Sequence, residues 1–433
     1  MRQLRKIVIV NTADEGGGAE RVSMAVLEGF LELGLDAWLL VGNKKGNHAR
    51  VVSFYTSPFF DYRPYADSPL LTAIENRRAI DQFLGVEDFN HPYSWHIGEI
   101  TGSTPDLVLC HNLHGGYFDL RVLCGLGTRI PVAVRLFDSW LHTGHCAYSL
   151  GCSRWQSGCG ECPDLTIPPA ISRDASRHNL RRKREIFRQA SLFASAESRW
   201  MLNRAKQSVL ASAAIDWKHI PGGVDLETFF PGPRECARLE LGMEPADTLL
   251  LYVASYGSTN PYKDFDNVRR SLEHLHREQP TRRVTLIVVG SSAPDERIGP
   301  HILIRHAGSI ESRPRLASFY RAADLVVHSA FEETFGNVVA EAAACGAPIV
   351  LASGGGVLEL IEDGSTGLVV PPRQPAELAA AIRQLLEAPE LRARLGAAAA
   401  AGARRNLDGR AMVRNLESWC AEVYSTWHSQ QAA

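Results

Sequence analysis

Short apolar runs alternate with stretches of helical spacing along this chain, and the alternation comes in two successive series. The first series opens with a β-branched run at 6–11, a helical stretch at 19–33 and another apolar run at 35–41. This order is typical of a parallel sheet with helices on both faces, because parallel neighbours need a crossover connection. The predicted fold class is therefore α/β, with two doubly wound parallel sheets. The remaining predicted strands are 107–110, 132–136 and 192–196 in the first series, and 249–254, 284–289, 302–304, 325–328, 349–352 and 368–370 in the second.

A cluster of Gly and Pro separates the two series, at 221–225 and 231–233. Such a cluster is typical of a connection between domains, and a chain of 433 residues is too long for one core of average size. We therefore predict a first domain over 1–225, a second domain over 226–411, and an amphipathic C-terminal helix over 412–433.

The charge balance and the short apolar runs bear on whether the protein binds nucleic acid or crosses a membrane. Lys and Arg number 46 against 48 Asp and Glu, so the net charge of −2 gives no argument for a nucleic-acid partner. No apolar run approaches the ~20 residues that cross a bilayer, and residues 1–6 lead into a strand rather than into a signal-peptide core. We therefore expect a cytosolic protein, in which cysteines are more often thiols or metal ligands than disulfides.

Two acids in the second series are spaced so that both face one site. Glu333 is expected on a loop, and Glu341 lies about two turns along an Ala-rich helical run at 338–345. A helix start offers free N–H groups and a positive dipole end, which suit a phosphate. The alternative interpretation is a capping Glu followed by a solvated helix Glu. The residues expected at the helix start are Phe335, Gly336 and Asn337.

The order of strand, acidic loop, helix, strand and glycine loop resembles the nucleotide-sugar half of retaining GT-B glycosyltransferases of group 1, or family four. The glycine loop is 353–356, and the resemblance extends to 359–372 and back to 220–229, so that it covers nearly the whole chain. It implies two Rossmann-like domains facing a cleft, with the closing helix packed back on the first domain. It also implies that a sugar, in the first instance a hexosyl group, moves from a nucleoside diphosphate sugar to a hydroxyl.

The resemblance also assigns roles to residues of the second domain. Glu333 is expected to contact donor-sugar hydroxyls, and Glu341 the ribose hydroxyls. Lys263 is expected to pair with the departing diphosphate, although the preceding segment 256–259 lacks the Arg that relatives carry there. The leaving phosphate is thought to take the acceptor proton, so a dedicated nucleophile is not expected. No Asp-x-Asp motif lies at the end of a predicted strand, so catalysis is expected to need no divalent metal ion. The amides of Phe335, Gly336 and Asn337 are expected at the sugar ring or the phosphate.

Candidate residues of the first domain follow the ends of predicted strands. Gly16, Gly17 and Gly18 lie between the first strand and the first helix, where a bare backbone suits either a pyrophosphate or a tight turn. His111 and His114 follow a strand and are candidates for an acceptor wall, because open α/β sheets bind ligands at that edge.

Asp138 is a further candidate catalytic residue, and the position before it differs from relatives. They commonly carry His there, near the donor sugar and acceptor, whereas this chain has Phe137. The difference indicates altered donor choice, a substitute such as His142 or His145, or impaired activity.

Four cysteines fall within 17 residues, at spacings of x5, x6 and x2. Such density in a loop with little core favours a structural zinc ion held by four thiolates, with two disulfides as the rival interpretation. A subset of bacterial relatives that make polysaccharide carries a similar cluster after an Asp-x-Trp stretch. The four residues are Cys146, Cys152, Cys159 and Cys162.

The acceptor implied by these features is a glycan or a lipid-linked oligosaccharide in polysaccharide biosynthesis. An arginine-rich stretch at 173–188 favours an anionic acceptor or peripheral association with the inner face of the membrane, or else a solvated face. Two alternatives stay open: transfer to a small-molecule acceptor, and a catalytically weak GT-B protein that binds sugar nucleotides.

Overall fold

The chain divides into two compact units in the computed structural model. The first unit combines Met1–Ile220 with Val413–Ala433, and the second is Pro221–Met412. The division precedes the expected boundary at 225, because the backbone of Val224 bonds with second-unit residues near 408. The structure describes residues 3–62, 69–244, 248–255, 257–260 and 262–432.

The first unit contains a seven-stranded parallel sheet in the order β3-β2-β1-β4-β5-β6-β7. Its strands are β1 (Lys6–Ala13), β2 (Asp36–Asn43), β3 (Val51–Ser53), β4 (Leu107–Cys110), β5 (Val132–Leu136), β6 (Leu192–Ala196) and β7 (Ala214–His219). Its α-helices are α1 (Gly18–Glu32), α2 (Pro69–Leu84), α3 (Ile97–Ile100), α4 (Val122–Leu126), α5 (Arg154–Ser157), α6 (Ser176–Phe187) and α7 (Arg199–Lys206), with short 3-10 helices at Pro92–His96, Trp140–His142 and Val209–Ser212.

The second unit contains another seven-stranded sheet, in the order β10-β11-β9-β8-β12-β13-β14, in which only β10 runs antiparallel to its neighbour. Its strands are β8 (Leu249–Val253), β9 (Val284–Val289), β10 (Glu296–Ile298), β11 (Ile302–His306), β12 (Leu325–Glu333), β13 (Ile349–Gly355) and β14 (Leu368–Val370). Its helices are α8 (Arg234–Glu240), α9 (Phe265–Glu278), α10 (Arg313–Ala322), α11 (Asn337–Ala344), α12 (Pro375–Glu387) and α13 (Pro389–Asn406), with 3-10 turns at Gly257–Thr259 and Gly356–Glu359, and α14 (Gly409–Ala432) follows.

The strands read as continuous apolar runs because both faces of each sheet are covered. In β8, Leu251 and Val253 face one apolar cluster, while Leu250 and Tyr252 face the other. This arrangement confirms the predicted α/β class with two doubly wound sheets.

Strand order places a switch point in each sheet, where neighbouring connections leave in opposite directions. It lies between β1 and β4 in the first sheet and between β8 and β12 in the second. Open α/β sheets bind ligands at the carboxyl ends of the strands that flank such a point. The candidate residues after β1, β4, β8 and β12 therefore follow the strands that this rule selects.

Some predicted element boundaries were wrong. β12 continues to Glu333, so this acid ends a strand instead of lying on a loop, and β13 takes in most of the glycine loop by extending to Gly355. A bulge between Ala330 and Glu333 lets β12 continue beyond its regular pairing with β13. The strands β3, β7 and β10 were not predicted, because their short or half-exposed sequences lack a clear apolar run.

The last 21 residues of the chain, from Val413, belong to the first unit. Leu416, Trp419 and Cys420 are buried there, and the indole of Trp427 donates to the carbonyl of Gly127 at 2.8 Å. None of the helices in the described ranges combines the length and apolar character that a membrane span requires.

Candidate functional site

The second-unit site is built around the turn from β12 into α11. Gly336 caps α11 with φ +92°, and a Cβ there would lie 2.5 Å from Cγ2 of Val357. Gly355 has φ +95°, and a Cβ on it would lie 2.4 Å from the carbonyl oxygen of Glu333. Both positions therefore require glycine. Since no side chain caps α11, its first N–H groups are suited to an anion.

Lys263 and Glu333 are brought together at this turn. The Lys263 ammonium contacts Oε2 of Glu333, and both side chains are largely buried. Burial lowers the pKa of Lys263 to about 8. Lys263 directly precedes α9, whose cap Asp264 accepts from the N–H of Asn267. The site thus holds a cation and an acid that satisfy each other without ligand.

Glu341 is held by a residue that sequence reasoning missed. The buried hydroxyl of Tyr320, on α10, donates to Oε2 of Glu341 at 2.9 Å. The two lie on different helices, so no spacing rule could have paired them. The charged-acceptor bond fixes the carboxylate on the inner face of α11, and the interpretation of Glu341 as a solvated helix residue is wrong, since its exposure is 8%.

Phe335 and Asn337 differ in how far their side chains are accessible to a ligand. The Phe335 side chain is buried in the core, close enough to Gly222 that a Cβ on that glycine would lie 2.5 Å from the ring. Any role of Phe335 in binding a ligand therefore falls to its backbone. Asn337 begins α11 and is half-buried. Tyr256 and Pro261, in the segment before Lys263, lie outside the described residues.

The glycine loop of the first unit has an internal partner. Gly16, Gly17 and Gly18 join β1 to α1, and the Gly17 N–H donates to Oε2 of Glu20 at 2.8 Å. The Glu20 carboxylate thus occupies part of the anion position predicted for a pyrophosphate. A Glu three residues after a helix cap is a capping-box signal, and this signal was present in the sequence.

His114 and Asp138 form a pair after β4 and β5. His114 Nε2 lies 2.8 Å from Oδ2 of Asp138, whose other oxygen accepts from the N–H of Trp140. Burial lowers and Asp138 raises the pKa of His114, and the net result lies above the ordinary value. The imidazole is therefore biased toward its charged form, which supplies a cation beside a carboxylate.

His111 has a different environment from His114. It is buried, its Nδ1 lies 2.7 Å from Ser23 Oγ, and its ring packs edge-on against Phe137. Burial, aided by Arg135, draws its pKa well below the ordinary value, so the ring is neutral. Neither proposed substitute for a histidine at 137 is exposed: His142 and His145 are both buried.

The four cysteines line one small pocket together with His145. Its cavity volume is about 20 Å³, which leaves room for one small occupant, and all four thiols are free of disulfides. His145 Nε2 lies 3.2 Å from Sγ of Cys162. Burial raises the pKa of Cys146 to about 12 and that of Cys159 to about 11. Within the described ranges, no group of three or more His, Cys, Asp or Glu residues is arranged to hold a metal ion.

The arginine-rich stretch makes many contacts inside the first unit. Lys183 is fully buried and donates to Glu87 at 2.9 Å, while Arg182 donates to the carbonyl of Glu87 at 2.6 Å. Arg188 pairs with Glu185 at 3.1 Å. Part of the positive charge of this stretch is therefore paired with groups of the first unit itself, and its presence does not require an anionic ligand.

Comparison with known proteins finds sequence similarity within the second unit. Residues 245–401 match the family model described as glycosyl transferases group 1. The D-inositol 3-phosphate glycosyltransferase of Frankia alni is 38% identical over 190 residues, which cover 41% of this chain and 46% of that protein. The protein of the same name from Kineococcus radiotolerans is 40% identical over 205 residues, or 42% of this chain and 46% of that one. The chain thus spans less than half the length of these curated relatives.

Solved structures share the fold over almost the whole chain. Sucrose-phosphate synthase from Thermosynechococcus elongatus has a TM-score of 0.70 at 17% identity, covering 98% of this chain and 100% of that one. WaaG, a glycosyltransferase involved in lipopolysaccharide biosynthesis, has a TM-score of 0.60 at 15% identity, covering 95% and 98%. The chain therefore shares the two-domain GT-B fold of these structures, and its residues 245–401 are similar to the glycosyl transferases group 1 family.

Proposed function

We propose that this protein transfers a sugar from a nucleoside diphosphate sugar to a hydroxyl group. The observation that carries the proposal is the contact of Lys263 with Glu333 beside the start of α11, which has no side-chain cap, at the switch point of the second sheet. A cation, an acid and free amides are the groups needed to bind a diphosphate and its sugar. The family match of the same segment supports this reading of the geometry.

Each donor-binding residue has a proposed task. Lys263 neutralises the leaving diphosphate, Glu333 accepts hydrogen bonds from sugar hydroxyls, and Glu341 accepts them from the ribose. The backbone around Gly336 and Asn337 faces the phosphate or ring. Because HepE of Anabaena has been solved with UDP and with UDP-glucose, a UDP-sugar is the first donor to test.

We propose a retaining mechanism in which the leaving phosphate takes the acceptor proton. Lys263 favours departure of the diphosphate because a cation stabilises the charge that develops on it. On the acceptor side, the His114–Asp138 pair presents a charged N–H donor and a carboxylate that could orient a hydroxyl. No catalytic metal ion is required by this scheme.

Two acceptor classes are proposed, in order. The first is a glycan or lipid-linked oligosaccharide in polysaccharide biosynthesis. The second is a phosphorylated small molecule, favoured by the curated relatives named for D-inositol 3-phosphate. The internal contacts of Lys183, Arg182 and Arg188 weaken the argument for a membrane-bound anionic acceptor. Weak dependence of transfer on salt would favour a neutral glycan, since only an anionic acceptor loses binding steeply with salt.

A thermal-shift and hydrolysis screen against UDP-, GDP- and dTDP-sugars tests the donor proposal. One donor should stabilise the wild type and be slowly hydrolysed by it. Glu341→Ala and Lys263→Ala should lose both effects, whereas Glu278→Ala, a surface change on α9, should keep them. Stabilisation of the wild type without turnover would instead indicate a protein that binds sugar nucleotides without transferring sugar.

A further inference from the structure

A buried histidine next to Glu333 has no role in the donor site as described. His328 lies on β12 with 1% exposure, and its Nε2 has no hydrogen-bond partner among the described residues. A buried ring nitrogen without a partner costs free energy, so its retention calls for an explanation. That nitrogen lies 3.9 Å from Oε2 of Glu333.

The same oxygen of Glu333 is the one that contacts Lys263. If Lys263 moves to a donor diphosphate, as proposed above, this carboxylate loses its cation while its side chain remains only 9% exposed. The sugar hydroxyls proposed to bond Glu333 are neutral donors, so a buried carboxylate that has lost its cation is stabilised by one further donor. A shift of about 1 Å would bring His328 Nε2 within hydrogen-bonding distance of it.

We propose that His328 is a positioning residue, which donates to Glu333 once Lys263 has turned to the donor diphosphate. The inference rests on the proposed function and adds a residue to it. Burial, with Lys263 as a further cause, keeps the pKa of His328 well below its ordinary value, so the ring is a neutral donor that does not repel Lys263. His328 thereby supplies one of the donors that replace Lys263 at this acid.

Three variants test the inference, with the sugar nucleotide that the screen identifies as substrate. His328→Leu removes the ring donor at similar volume, and His328→Gln keeps an N–H donor. His276→Leu is the matched control, because the ring of His276, on α9, also has a buried nitrogen without a partner but packs against Gly299.

We expect His328→Leu to lower kcat for donor hydrolysis roughly 10- to 100-fold, the size expected for a hydrogen bond to a charged group. KM for the donor should change little, since Lys263 and Glu341 still bind it. His328→Gln should recover part of the loss, and His276→Leu should turn over like the wild type. A purely structural role would lower Tm in His328→Leu without this split between kcat and KM.

Two outcomes contradict different parts of the argument. If the wild type is active and His328→Leu keeps its kcat, the role of His328 is wrong while the proposed function stands. If the wild type neither binds nor hydrolyses any sugar nucleotide, the proposed function fails, and this inference fails with it. A direct readout is the ¹⁵N signal of His328 Nε2, which should shift toward a hydrogen-bonded value when UDP is added.

Discussion

The pairing of His114 with Asp138 places a titratable contact at the carboxyl edge of the first sheet. Because its pKa is raised above the ordinary 6.5, His114 binds a proton more tightly in the folded state than in the unfolded state. Its contribution to stability is therefore fully present below pH 6.5 and is lost as pH rises through the folded-state pKa.

Asp138→Asn should lower the free energy of unfolding more at pH 6 than at pH 9. We expect a loss of about 1.5 kcal/mol at pH 6, the size of a hydrogen bond to a charged group, and a smaller loss at pH 9. Urea denaturation at the two pH values measures it. The same change made in a His114→Gln background should show no such pH dependence; if it does, the effect belongs to another contact of Asp138.

For single residues, the sequence indicates which side chains take part in the site better than it indicates which side chains they contact. Glu333, Lys263 and Glu341 could be proposed from local order, because a strand end and a helix start fix where such side chains point. Tyr320 and His328 could not, since one reaches Glu341 from another helix and the other reaches Glu333 across a bulge. A bulge changes which side chains share a face, and no alternation pattern reveals it in advance.

Two glycines of helix α13, Gly396 and Gly402, have different surroundings. A Cβ on Gly402 would meet nothing within 4 Å, whereas a Cβ on Gly396 would lie 2.3 Å from the carbonyl oxygen of Gly346. Gly402→Ala should therefore stabilise the protein by about 0.5–1 kcal/mol, since Ala favours helix and has less freedom in the unfolded chain.

Gly396→Ala should do the opposite, because the neighbouring backbone has to move. Chemical denaturation of the two variants measures both effects in the same helix. A stable Gly396→Ala would mean that the close approach of α13 to Gly346 is not required. Neither glycine lies in the proposed donor site, so UDP binding should be unchanged in Gly402→Ala.

The four-cysteine segment is a further structural element, and a segment with little apolar core of its own needs another source of stability. We expect its thiols to bind one structural zinc ion, with side chains turning toward the pocket that they already line. The raised pKa values of Cys146 and Cys159 mean that metal binding must displace protons, so affinity should weaken as pH falls.

Metal analysis and a melting curve test this expectation. The purified protein should contain one zinc per chain, and chelation should lower Tm without abolishing UDP binding by the second unit. Cys146→Ser should lose the metal, whereas Cys236→Ser, at an exposed thiol outside the cluster, should retain it. Thiols that are free of both metal and disulfide in native protein would contradict the zinc prediction.

For the whole molecule, residues 413–433 supply part of the first unit's core. Deleting them removes Leu416, Trp419 and Cys420 from buried positions, and leaves the carbonyl of Gly127 without its indole donor. We expect proteolysis under native conditions to produce new cleavage sites in the first unit but not in the second. Mass spectrometry of the fragments locates them. Ser429→Ala, on the exposed face of α14, is the control, and an unchanged digestion pattern after deletion would contradict the prediction.

Much of the architecture was predictable at this scale, because strands buried on both faces leave unmistakable apolar runs. The edge strands β3 and β10 were missed, since three residues of sequence carry no period. The boundary between units was placed a few residues late, because Val224 looks like linker in sequence but is held by the backbone near Leu407. The Gly and Pro content predicts a turn near Val224, but the backbone hydrogen bonds of Val224 with Leu407 and Gly409 place this turn in the second unit.

The return of the C-terminal helix to the first unit has a consequence for synthesis. A ribosome adding about 5–20 residues per second needs roughly 10–40 s to make the second unit after Ile220 has been added. During that interval the nascent first unit exposes the apolar surface that residues 413–433 will cover. The first unit begun is thus the last to be completed, and a chaperone that shields this surface should raise the yield of folded protein.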